Sequence, residues 1–144
     1  MSHLIFAVEL YRLQMEQGRL FLHEHPLSAT SWGLEVMRDL AEDPRVHKVC
    51  AHQCMLGLKS VGDDGVERPS QKPTGFLTNS RALAERLDVK CQGDHDHNIL
   101  MGAKRTSRAA QYPDELCDAI LEGLAEHLER EKSRPVEQYR GSQG

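Results

Sequence analysis

The sequence lacks any long hydrophobic run: its longest uninterrupted apolar stretch is the five residues from Leu4 to Val8, with Glu9 directly behind. A membrane span needs about 20 apolar residues and a secretory signal needs a basic flank, so neither fits and an intracellular location, nuclear or cytoplasmic, is expected. Aromatic residues are scarce at 5%, with one Trp, and no charge sign dominates: the net charge is -4. That balance excludes a global nucleic-acid footprint, so any contact with DNA must be local and weak. The four cysteines, in a chain without a secretory signal, read as reduced thiols or metal ligands rather than disulfides.

What is present is an ordinary soluble composition, 39% hydrophobic and 28% charged over 144 residues, with a mean hydropathy of -0.56. A chain of this size buries about 68–70% of its unfolded surface, enough for one core without staples. Residues 1–132 are the expected domain and 133–144, where no apolar pattern survives, a flexible tail.

Apolar residues at Leu4, Val8, Tyr11 and Met15 recur at helical spacing, with Gly18 where a C-terminal cap belongs. A short strand is expected over 19–25. A helix capped by Ser31, with Leu34, Met37, Leu40 and Ala41 inward, runs to Asp43-Pro44. A second strand covers 46–54, and 57–73 is an aperiodic Gly, Asp and Pro-rich loop. A third strand spans 74–78, then a helix capped by Asn79 or Ser80 carries Leu83 and Leu87. After an irregular stretch and a short strand over 98–101, Pro113-Asp114-Glu115 starts a helix with Leu116, Ile120, Leu124 and Leu128 at i+4 spacing. Strands alternating with helices predict an α/β fold: parallel strands, three or four of them, forming an incomplete doubly wound sheet.

Phe21-Leu22-His23-Glu24-His25-Pro26 ends the first strand, where open α/β sheets place ligands. This run resembles the Phe-x-x-Glu-Asn-Val/Pro motif of cytosine-5 DNA methyltransferases. His52-Gln53-Cys54-Met55-Leu56-Gly57, then Lys72-Pro73-Thr74-Gly75-Phe76-Leu77-Thr78-Asn79-Ser80, then Ala110-Gln111-Tyr112-Pro113-Asp114-Glu115-Leu116-Cys117 are similar, in order, to motifs of phage-type and mobile-element (retroelement polyprotein) methyltransferase-like domains. The resemblance covers residues 21–120 and implies the C-terminal half of such a Rossmann-like domain. It implies that Glu24 is the catalytic, base-binding carboxylate, and that the intact relative uses S-adenosylmethionine. It places His25, Lys72, Thr74 and Asn79 at the base or DNA; Trp32, one residue after the Ser31 cap, is a further candidate to stack on a base, with packing against the strand end as the alternative.

The cofactor-binding Gly-rich turn and the Pro-Cys nucleophile of those enzymes are missing: the six prolines precede Leu27, Arg45, Ser70, Thr74, Asp114 and Val136. The expectation is a fragment inactive alone: a gene fragment, a decayed copy, or one half of a split protein whose N-terminal half another chain supplies. His25 replaces the motif's Asn, which leaves the target base open. Strand alternation also predicts that Glu24 faces away from His23 and His25.

Two further sets stand out. Lys104, Arg105 and Arg108 offer a local grip on DNA phosphates. Cys50, His52 and Cys54 alternate, so an extended strand would put them on one face, and Cys91-x3-His95-x-His97 adds three donors. Neither group has common zinc-module spacing, so no metal is expected. The alternative is a small zinc-stabilised nucleic-acid-binding module using Cys50, Cys54, His95 and His97.

Overall fold

The structure, a computed structural model, describes residues 2–98 and 112–134. Their elements run α1 (Ser2–Glu16), β1 (Leu22–Pro26), a 3₁₀ turn (Thr30–Gly33), α2 (Glu35–Glu42), β2 (His47–His52), a second 3₁₀ turn (Gln53–Leu56), β3 (Lys59–Val61), β4 (Glu67–Pro69), β5 (Pro73–Thr78), α3 (Arg81–Leu87) and α4 (Asp114–Lys132). The fold is mixed α/β. No helix among the described residues is long and apolar enough to cross a membrane.

Local chemistry sets most boundaries. α1 stops at Gly18, whose φ of 69° suits a residue without a Cβ, and the Arg19 N–H reaches back to the Gln14 carbonyl at 2.7 Å. Ser80 caps α3, its side chain accepting from the Leu83 N–H. Asn79 does other work: its Oδ1 accepts from the Phe21 N–H and its Nδ2 donates to the Arg19 carbonyl, tying the entry of β1 to the end of β5. Ser31 does not cap α2. It lies inside the first 3₁₀ turn, and Leu34 stands at the N-cap with no side-chain bond. The expected loop over 57–73 contains the two-stranded β3–β4 hairpin. Asn98 lies outside regular structure, and 99–101 and the tail beyond Arg134 lie outside the described residues.

β1, β5 and β2 form one sheet in that order, and both pairings are antiparallel. The parallel, doubly wound arrangement expected from alternation is therefore not what the described strands form. Its basis survives in one respect. Because β1 and β2 each run against β5, they point the same way, as a strand-helix-strand crossover requires. β5, arriving after the hairpin, enters between them.

The central strand is buried on both faces and carries no charged residue. Leu77 packs with Val8, Met15, Phe21, Met37, Leu40 and Val46 under α1 and α2. Phe76 packs on the other face with Ala51, Leu56, Leu83, Leu87, Leu116 and Ala119 under α3 and α4. Three layers result, helices over sheet over helices. Gly75 makes room on the first face: a Cβ there would lie 2.5 Å from Trp32 Cζ2, and the indole is held by its Nε1 donating to the Pro26 carbonyl at 2.8 Å.

Candidate metal centre and the Glu24 cleft

β2 delivers the chain to the second 3₁₀ turn, which carries Cys54 out of strand register. Cys54 therefore does not share a strand face with Cys50 and His52. Cys50 stays on the strand opposite Gly75, while Cys54 turns toward the irregular segment that follows α3. That segment brings Cys91, His95 and His97, and the ligand atoms of Cys54, Cys91, His95 and His97 all lie within 4.8 Å of one another, each residue half-buried. Cys91 thus takes the place expected for Cys50.

Two distances inside the group match those of a coordination shell. Cys91 Sγ lies 3.5 Å from His95 Nε2 and 3.5 Å from His97 Nε2. A tetrahedral zinc with Zn–S of about 2.3 Å and Zn–N of about 2.0–2.1 Å separates sulfur from nitrogen by about 3.6 Å. The two imidazoles stand nearly perpendicular, with centroids 4.6 Å apart and an interplanar angle of 81°, so both nitrogens converge without stacking.

A second set of contacts orients these donors. Asp94 Oδ1 sits 2.8 Å from His95 Nδ1, which fixes the ring with Nε2 turned inward, as metal-bound histidines usually are. The Gly93 N–H donates to Cys91 Sγ at 3.3 Å. The backbone of Cys91 is held by its N–H donating to His52 Nδ1 at 2.9 Å, and the His52 N–H donates to the Val89 carbonyl at 2.8 Å. His52 is thus a neighbour of the group rather than a member. Burial, then the charges of Lys90 and His97, hold its pKa below the usual histidine value. Burial, followed by hydrogen bonding to Cys91, pushes the Cys54 thiol up to about 11. A bound divalent cation reverses that preference, since coordinated thiols are deprotonated.

At the other end of the sheet, Glu24 pairs with Phe76 and shares its face, whereas His23 and His25 oppose Leu77 and Gly75. Glu24 borders a cleft of about 210 Å³ with Tyr11, Leu22, Phe76, Tyr112 and Leu116 among its walls. The Tyr112 O–H donates to Glu24 Oε2 at 3.2 Å. Burial, then the Glu24 charge, raises the Tyr112 pKa. His23, which opposes Leu77 across the strands, still reaches the rim of the same cleft: its Nδ1 is 2.9 Å from the Tyr11 hydroxyl, and its ring packs on His25 and Trp32.

The residues assigned to DNA contact are placed differently. Thr74 is fully buried; its Oγ1 accepts from Gln53 Nε2 at 2.8 Å and donates to the Lys72 carbonyl. Asn79 is committed to backbone, as described. Trp32 covers Gly75 with Lys48 Nζ 4.3 Å above its ring centroid. Lys72 adopts a φ of 35° in the turn into β5, and His25 lies on β1 beside His23. Lys104, Arg105 and Arg108 lie outside the described residues. Gln53, Thr74 and Asn79 therefore join segments of the fold to one another. Comparison of the chain with protein-family models, with curated proteins and with solved structures finds no significant match in any of the three.

Proposed function

We propose that this chain is a zinc-stabilised α/β module in which Cys54, Cys91, His95 and His97 bind one structural zinc ion. The observation that carries this reading is the convergence of two thiols and two imidazoles from distant segments within 4.8 Å. Two sulfur and two nitrogen donors suit zinc, and a shell filled by four protein ligands leaves no open position for catalysis. The metal would tie the turn after β2 to the segment after α3, a join that the hydrogen bonds of His52 already begin.

The decisive measurement is elemental analysis of the purified full chain and two variants. One zinc per chain is expected in the parent and in Cys50→Ser, and none in Cys91→Ser. Zinc retained in Cys91→Ser and lost in Cys50→Ser would return the site to the set expected from sequence.

A second reading is favoured by the cleft, where motif residues far apart in sequence, Glu24 and Tyr112, meet. A carboxylate on that wall is suited to hydrogen-bond the edge of a flipped base in DNA, as the methyltransferase-like resemblance implies, with another chain supplying the missing N-terminal half. Without that half, calorimetry with S-adenosylmethionine should show no binding. Micromolar binding would overturn the fragment reading. For a cytosine-containing single strand, Glu24→Gln should weaken binding about tenfold or more, the worth of a charge-assisted hydrogen bond, while His25→Ala, outside the cleft lining, leaves it unchanged at matched folded fractions. The reverse pattern would remove Glu24 from the site.

A further inference from the structure

We propose that the metal centre is also a thiol switch, in which oxidation joins Cys54 to Cys91 as a disulfide, expels the zinc and frees the loop between Cys91 and Asn98. The proposal rests on the zinc reading above and adds regulation to it.

Several features of the site lead there. Only two of the four ligands are cysteines, so oxidation has one internal pair to make. Their sulfurs lie within 4.8 Å of each other. Both sit in backbone that can adjust: Cys54 in a 3₁₀ turn, Cys91 in an irregular segment whose Gly93 has a φ of 75°. Both are half-buried rather than sealed, so a small oxidant reaches them. The remaining thiols are elsewhere, Cys50 on β2 and Cys117 exposed on α4.

The loop between the anchors gives the switch its readout. Cys91 is fixed at one end by its N–H bond to His52. Asn98 is fixed at the other: its N–H donates to the Pro69 carbonyl and its Nδ2 to the Ser60 and Val66 carbonyls, pinning the β3–β4 hairpin. Between these points His95 and His97 are the metal's attachments. Once zinc leaves, the ends hold and the middle loses its anchor.

With hydrogen peroxide as oxidant the step balances. One thiolate attacks an oxygen of the peroxide; the S–O bond forms, the O–O bond breaks, and the leaving hydroxide takes a proton to become water. The second thiolate then attacks the resulting sulfenic acid; the S–S bond forms, the S–O bond breaks, and a second hydroxide leaves and takes a proton. Two electrons pass from the two sulfurs to one peroxide, two protons are consumed, and zinc departs as the aqua ion with both imidazoles neutral.

The test uses the zinc-loaded full chain, titrated with hydrogen peroxide in the presence of a zinc-sensing dye and followed by mass spectrometry. One zinc released per chain is expected, together with the loss of two hydrogens relative to the reduced metal-free chain and a cross-linked peptide pair containing Cys54 and Cys91. Reduction with dithiothreitol should restore zinc uptake, and a Cys50→Ser/Cys117→Ser variant should behave like the parent. Hydrogen exchange should rise over 92–97 and stay unchanged in β5. Zinc retained while Cys117 oxidises, or zinc lost with Cys54 joined to another thiol or carried to sulfinic acid, overturns the switch and leaves the zinc reading intact. A chain that takes up no zinc overturns the metal reading and the switch with it.

Discussion

The imidazole of His23 meets Tyr11 through Nδ1, while its Nε2 is buried with no hydrogen-bond partner among the described residues. Burial, then the neighbouring His25, lowers its pKa from the usual histidine value. The unfolded chain therefore binds this proton first as pH falls. Stability is complete above about pH 6.5 and declines below it, until His23 protonates in the folded state as well. Urea melts with a chelator present should show this loss as pH falls below about 6.5, and His23→Gln should flatten it. Asp43 works in the opposite range. Hydrogen bonds from Arg45 hold its carboxyl down at about 2, so its contribution is whole above the usual aspartate range and vanishes as pH falls toward 2. Asp43→Asn should be less stable than the parent at neutral pH and indistinguishable from it near pH 2. Residues of this kind were only partly legible beforehand. Alternation along β1 puts Glu24 opposite Phe76 and its flanking histidines opposite Leu77 and Gly75, yet His23, on an edge strand, still reaches the Glu24 cleft. The same argument fails for Cys54, because a 3₁₀ turn has no two-residue period. Three donors within seven residues, Cys91, His95 and His97, were the stronger signal for the Cys/His cluster.

Among the elements, β5 depends most on its neighbours. A methyl group at Gly75 would press into a Trp32 ring that the Pro26 carbonyl already anchors. Gly75→Ala should cost about 1–3 kcal/mol in chemical denaturation, and Trp32→Leu should recover part of it in the double variant, since the two residues touch. One strand position earlier, Thr74→Val would leave the buried Gln53 without the acceptor for its Nε2, and about 1–3 kcal/mol should go with it. The helices and the three sheet strands were readable from periodicity and from Gly, Pro and Asp punctuation. The hairpin was not, because strands of three residues, Lys59–Val61 and Glu67–Pro69, are too short to display a period. Strand direction was also hidden. Alternating helices and strands give the relative direction of β1 and β2, but nothing local announces that a later strand will insert between them.

At the scale of the whole molecule, two apolar clusters on opposite faces of one sheet are formed without any metal ligand among their buried residues. Metal removal should therefore lower the thermal midpoint without abolishing the cooperative transition, unlike small zinc fingers that unfold outright. A chelator titration followed by circular dichroism checks this, and complete loss of helical signal at room temperature would show that the clusters cannot stand alone. The order of strands has one more consequence, for biogenesis. β1 and β2 make no described pairing with each other, and each is bonded only to β5. On the ribosome, which releases the chain from its N-terminus, both must wait without a hydrogen-bonding strand until Thr78 has emerged, and the Phe76 face waits longer still for Leu116. Nascent chains halted before β5 are thus the natural clients of chaperones and proteases, and those halted after α4 are not.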